Sequence, residues 1–274
     1  MSVPAVADRN TPTPAWFLPA FVVGAYAVSW LWWLPIIASG AVTQPGLGWP
    51  THLPGLLGPA ISAVVVTGMA FGRAGLADLW RRMTDWRATR TAWLLVLITS
   101  ASLLLAPAVA LVSGHAVPSA ADFVTYSGAP AAMGPAVVLY VWIVNGFGEE
   151  TGWRGILAEH LTDRLGLRRT ALVTAVIVTG WHLPLFWIAE SFRAFSPLET
   201  GGWLVGLTLG CVLLAWLYAV GRRSILLVAT WHTVYNFTTA TDATTGATAA
   251  VSSVIVIAIA ISILVRNPER PART

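Results

Sequence analysis

The chain has 274 residues and a formal net charge of +4, with 56% hydrophobic residues and only 10% charged ones. A soluble domain carries about 25% charged residues, so a water-facing globule of this size is excluded. All sixteen basic residues are arginine, and they stand beside the ends of apolar runs, which is the pattern of membrane orientation and not of nucleic-acid binding.

Composition therefore predicts an all-α, polytopic transmembrane bundle, a single integral membrane domain over residues 1–274 with the lipid bilayer as its surroundings. Eight spans are expected: Trp16–Ser39, Leu53–Phe71, Trp93–Val112, Ala131–Ala158, Thr170–Ile188, Trp203–Val220, Ser224–Ala240 and Ala247–Val265. The first residues lack a basic region and a small-residue cleavage site, so no cleaved leader is expected. Arg73, Arg81, Arg82, Arg87 and Arg90 fall between spans two and three. Arg164, Arg168 and Arg169 separate spans four and five, and Arg222 and Arg223 separate six and seven. Arg9 precedes span one, and Arg266, Arg270 and Arg273 follow span eight; the alternate connections hold only Arg193. With eight spans every arginine-rich segment lies on one side, which the positive-inside rule makes the cytoplasm, with both termini there. This is a multi-pass protein of the cell membrane.

Lesser features follow the same chain order. Trp30, Trp32, Trp33, Trp80, Trp86, Trp93 and Trp203 read as interfacial aromatics. Leu76–Met83 reads as a cytoplasmic surface helix. Gly202, Gly206 and Gly210 form a small-residue stripe suited to close helix contact. Cys211 reads as a buried core thiol. His52, His115 and His160 lie in connections and are given no role.

The informative residues are ionisable groups inside spans, each costing roughly 2.5–3.5 kcal/mol on insertion scales. Span four ends in Asn145-Gly-Phe-Gly-Glu149-Glu150-Thr-Gly-Trp-Arg154. Positions four apart share a helix face while neighbours diverge by about 100°. Arg154 is thus placed to pair with Glu150, and Glu149 is left without that local partner, as a general base requires. Span five carries Trp181-His182-Leu183-Pro184, where the proline cannot donate to the carbonyl of Gly180 and a kink is expected. Span seven carries His232 and Asn236, four apart on one face. At about 1.5 Å rise per residue, Glu149, His182, His232 and Asn236 all fall roughly 12–18 Å into the core. Three helices bring acid–base groups to one level.

The order Glu149-Glu150-x-x-x-Arg154, then His182, then His232-x-x-x-Asn236, resembles the CAAX prenyl protease and bacteriocin-processing family, also called the Abi or CPBP family of intramembrane proteases. The resemblance covers residues 131–240, with Val178 where the family's second motif usually has phenylalanine. It implies an intramembrane endopeptidase in which Glu149 activates water with help from His182, His232 and Asn236 hold the oxyanion, and Glu150 and Arg154 orient the site. No cofactor is required on this reading; Glu149, His182 and His232 are also a possible zinc set. The expected substrate is a membrane-associated peptide or protein segment cut near the cytoplasmic leaflet, and arginine-only usage suggests a bacterial member. The alternatives are a catalytically inactive immunity-type scaffold and a proton-coupled transporter relaying protons through the same Glu and His groups.

Overall fold

The structure is a computed structural model that describes residues 13–244 and 246–266. It is helical throughout the described residues, with isolated bridges (Thr43 to Ala189, Pro45 to Ser127 and Tyr126 to Thr241) in place of strands. Helix α1 spans Phe17–Ser39 and ends at Gly40, whose φ of 69° suits only glycine well. After a 3₁₀ turn at Leu53–Leu57, α2 runs Gly58–Thr84. Next come α3 at Arg90–Ala101, capped by the Thr89 side chain, and α4 at Ala106–Val112.

The long central run begins with α5 at Ala136–Val141, passes through a π-helical turn at Trp142–Phe147 into α6 at Gly148–Gly152, then through a second π-helical turn at Trp153–Ala158 into α7 at Glu159–His182. Short helices α8 (Leu185–Ile188) and α9 (Glu190–Arg193) lead to α10 at Pro197–Val220, which opens with a reciprocal cap between Ser196 and Glu199. Helix α11 is Ile225–Thr239 and α12 is Ala247–Arg266.

Six helical segments among the described residues are long and apolar enough to cross a membrane. Two of the eight expected runs are not separate by this measure. The fourth and fifth fall within one stretch, Ala136–Ile188, of 53 residues, and α11 has only 15 residues. A straight helix of 53 residues would reach about 80 Å, far beyond a hydrocarbon core of about 30 Å. The run instead breaks at Gly166, where φ is 75° and ψ 170°. Trp153 and Trp181, on either side of that break, touch with ring centroids 5.5 Å apart, so the second arm folds back along the first. The expected cytoplasmic termini, with Arg9, Arg270 and Arg273, lie outside the described residues.

Gly72 (φ 59°) separates the apolar part of α2 from the segment expected as a surface helix, where Trp80 is 65% exposed and Arg82 is buried. Pro184 ends α7 as expected, and Leu183 N–H turns back to the Gly180 carbonyl at 3.2 Å. Two lesser expectations are corrected. Trp33 is wholly buried, donates from Nε1 to the His52 carbonyl at 2.8 Å and packs on Trp181, because α1 turns that face inward. The stripe Gly202, Gly206 and Gly210 meets nothing within 4 Å of where a Cβ would stand, so it faces outward and joins no helix of this chain. Cys211 is buried, as expected.

Packing places α6 in the centre, against α2 on one side and α11 on the other, with α10 lying between α7 and α12. Buried tryptophans 33, 153, 181 and 231 fill the core. Outward positions such as Leu31, Leu104, Val176 and Val265 are more than 70% exposed, a display of apolar side chains that lipid tolerates and water does not.

Candidate active site

Glu149 and Glu150 stand on α6 between the two π-helical turns. Single π turns widen a helix by one residue and recur at functional sites because they re-aim the side chains beyond them. Two glycines let this segment approach its neighbours. A Cβ at Gly146 would meet the Ala229 carbonyl of α11 at 2.7 Å, and one at Gly148 would meet the Leu56 carbonyl at 2.7 Å. Trp142 Nε1 adds a hydrogen bond to Thr230 Oγ1 of α11 at 3.1 Å.

Both carboxylates are buried, Glu149 at 3% exposure and Glu150 at 0%. Arg154 Nη1 donates to Glu150 Oε1 at 3.0 Å, the pairing expected from their spacing. The same oxygen accepts from His232 Nδ1 at 2.6 Å, which fixes the imidazole and leaves its Nε2 on the opposite edge. Arg154 Nη2 also reaches Cys211 Sγ at 3.5 Å. Glu150 is therefore held by a guanidinium and an imidazole together. Among the described residues the second oxygen of Glu150, Arg154 Nε and Thr151 Oγ1 have no hydrogen-bond partner, so this turn retains polar capacity for water.

Glu149 is held differently. Asn145 Nδ2 donates to Glu149 Oε1 at 2.6 Å, and the Asn145 carbonyl oxygen accepts from Asn236 Nδ2. The carboxylate without a local cation thus has a neutral amide partner, which corrects the expectation that it stands alone. Asn145 lies four residues before Glu149, so the spacing that revealed Glu150–Arg154 also points to it. Tyr126, from the connection between α4 and α5, lies near both Asn236 and Glu149; nothing local in its sequence marks it.

His182 sits at the end of α7 with Nδ1 donating to the Val178 carbonyl at 2.8 Å, which orients Nε2 away from its own helix. Trp181, Phe192 and Trp203 surround the ring at 4.8, 6.3 and 5.7 Å. His182 is within electrostatic range of His232, and His232 within range of Glu149. Among the described residues no hydrogen bond joins His182 to either glutamate. The structure therefore brings these groups together as two hydrogen-bonded sets, Glu150–Arg154–His232 and Glu149–Asn145–Asn236, with His182 at their edge.

No group of three His, Cys, Asp or Glu among the described residues is arranged to hold a metal ion. Glu149, His182 and His232 turn to an amide, a backbone carbonyl and a second carboxylate respectively. These bonds occupy Nδ1 of each ring and leave Nε2 of both imidazoles free.

Residues 131–238 match the family described as Type II CAAX prenyl endopeptidase Rce1-like, a stretch that contains Glu149, Glu150, Arg154, His182, His232 and Asn236. Over 262 residues, 93% of each chain, the sequence is 23% identical to a protein named CAAX prenyl protease 2 from Methanococcus maripaludis.

Proposed function

From the premise that the chain carries the CAAX prenyl endopeptidase signature as a family member, we propose that it is an intramembrane endopeptidase that hydrolyses a peptide bond of a membrane-associated substrate with water activated by Glu149. The observation that carries this reading is the unequal treatment of two adjacent carboxylates. Glu150 is tied to Arg154 and His232, whereas the partners of Glu149 are the neutral Asn145 amide and Trp153 indole. A buried carboxylate with neutral partners is free to take up a proton, as a general base must.

Glu149 takes a proton from water as the oxygen attacks the scissile carbonyl carbon. His232, through Nε2, and Asn236 stabilise the oxyanion of the tetrahedral intermediate. When the carbon–nitrogen bond breaks, the proton held by Glu149 passes to the leaving amine. His182, its tautomer set by the Val178 carbonyl, assists the water through Nε2. Glu150 and Arg154 keep His232 oriented. No step requires a metal.

The aromatic wall around His182 fits an apolar substrate. Phe186, Phe192 and Trp203 contact one another at 5.1–5.5 Å. The relative's name makes a prenylated carboxyl-terminal segment one substrate class; an unlipidated membrane-associated peptide is the other. On the positive-inside rule the arginine-bearing ends lie toward the cytoplasm, and the basic charge serves orientation, not nucleic acid.

The test is cleavage of prenylated and unprenylated carboxyl-terminal peptides in proteoliposomes, comparing wild type with Glu149→Ala and His182→Ala. Loss of a general base lowers the rate about 10²–10⁴-fold, and both variants should retain the wild-type melting profile. Full cleavage by Glu149→Ala would remove it as the base. Solute uptake without cleavage would favour a transporter, and neither activity in wild type would favour a binding scaffold.

A further inference from the structure

Tyr126 lies outside the stretch that matches the family, in the connection between α4 and α5, yet its side chain points into the site. Its backbone is clamped. The Tyr126 carbonyl accepts from Gly46 N–H at 3.3 Å and Ala129 N–H at 3.2 Å, and the Thr125 carbonyl accepts from Asp242 N–H at 3.4 Å. Tyr126 also bridges Thr241, just beyond α11. The ring packs on Phe237 with centroids 5.4 Å apart, and the residue is only 6% exposed. Phe237 follows Asn236 directly, so the phenol oxygen comes within hydrogen-bonding reach of the Asn236 amide and within electrostatic range of Glu149.

Chemistry fixes the direction of the chain of hydrogen bonds. The ionised Glu149 carboxylate only accepts, so Asn145 presents its NH₂ group to it and its carbonyl oxygen to Asn236. Asn236 therefore faces Asn145 with its own NH₂, and its amide lies beside the Tyr126 phenol. Burial first, and the Glu149 charge second, raise the phenol pKa above its usual 10, the Asn236 bond offsetting this only in part. The hydroxyl is a proton donor at neutral pH.

We propose that Tyr126 is a further catalytic residue whose hydroxyl, held beside the Asn236 amide, donates a hydrogen bond to the oxyanion of the tetrahedral intermediate. This rests on the endopeptidase reading and deepens it: Tyr126 adds a donor to those assigned to His232 and Asn236. A donor held in place by a clamped loop needs no reorganisation at the moment of reaction.

The experiment measures kcat, KM, melting temperature and affinity for a peptide phosphonate, a tetrahedral anion mimic, for wild type, Tyr126→Phe and Phe237→Leu, with Glu149→Ala alongside. Removing one oxyanion donor costs about 10²–10³ in rate. Tyr126→Phe should lose about a hundredfold in kcat and a similar factor in phosphonate affinity, with KM and melting temperature unchanged. Phe237→Leu, which loosens the ring packing and keeps the hydroxyl, should retain kcat. Unchanged kcat in Tyr126→Phe, beside an inactive Glu149→Ala, would overturn the proposal and leave the endopeptidase reading standing. Equal losses of kcat and melting temperature in Tyr126→Phe and Phe237→Leu would overturn it in favour of packing. Cleavage surviving in Glu149→Ala would overturn the endopeptidase reading and this proposal with it.

Discussion

The two halves of the site begin at adjacent residues and are built from opposite materials. On the Glu150 side the groups are ionic: one carboxylate oxygen serves both Arg154 and His232. On the Glu149 side they are amides, Asn145 and then Asn236. Neighbouring helix positions diverge by about 100°, so two carboxylates in sequence reach two different environments without any strand or loop between them. The ionic half holds geometry because its charges are mutually satisfied. The amide half leaves its carboxylate chemically available because its hydrogen-bond partners are neutral.

The sharpest way to break this comparison is Glu150→Ala. It leaves the Arg154 charge buried without its partner, which costs about 3–5 kcal/mol, and it frees the His232 ring. We expect a large fall in melting temperature in detergent, whereas Glu149→Ala, which removes one bond from an amide, lowers it far less. Replacing Glu150 and Arg154 together by methionine should recover most of the stability and none of the activity. Equal destabilisation by Glu149→Ala and Glu150→Ala would show that the halves do not differ.

A pH series sharpens the comparison once its background is known. His52, in the connection before α2, is held at about 4, well below the ordinary 6.5, by burial first and by the nearby His182 second. The folded state keeps this ring neutral, so stability is complete above about pH 6.5 and is lost as pH falls toward 4, where the unfolded chain takes up the proton first. The loss amounts to about 3 kcal/mol. His52→Gln should flatten the acid limb of the melting profile; an unchanged limb would place the acid sensitivity in the ionic half of the site.

The smallest effect belongs to Asn145→Ala. Its bonds to Glu149 and Asn236 are neutral-amide bonds, so we expect a fall in kcat of about tenfold to a hundredfold, KM within about twofold, and a stability loss of about 1–3 kcal/mol from the stranded neighbours. A kcat equal to wild type would mean that the amide half does not position the base.

Short-range geometry was legible in the residues themselves. The Glu150–Arg154 pair, the break after Phe71 and the stop at Pro184 all follow from spacing within one helix. The bonds that join the helices did not: His232 to Glu150 and Asn236 to Asn145 connect residues 82 and 91 positions apart, and no local pattern encodes which helices become neighbours. Trp33 misled because an indole near a span end reads alike whether it meets headgroups or the core. The fourth and fifth expected runs are two helical arms joined at Gly166, whose φ of 75° and ψ of 170° leave the helical region. Asn145 was within reach by the rule that found Arg154, and was overlooked because an uncharged side chain raises no alarm in an apolar run.

The two π-helical turns around α6 make the chemistry sensitive to chain length as well as to residue identity. A wide turn is an α-helix carrying one surplus residue. Because the wide turn absorbs its surplus residue, deleting one amino acid between Trp142 and Phe147 would restore the ordinary pitch with little rotation of the flanks. The change would fall on Asn145, whose bonds to Glu149 and Asn236 depend on its place in that turn. A relative one residue shorter in this stretch can keep the whole signature and still be inert, so descent of the activity is better followed by counting positions than by matching them.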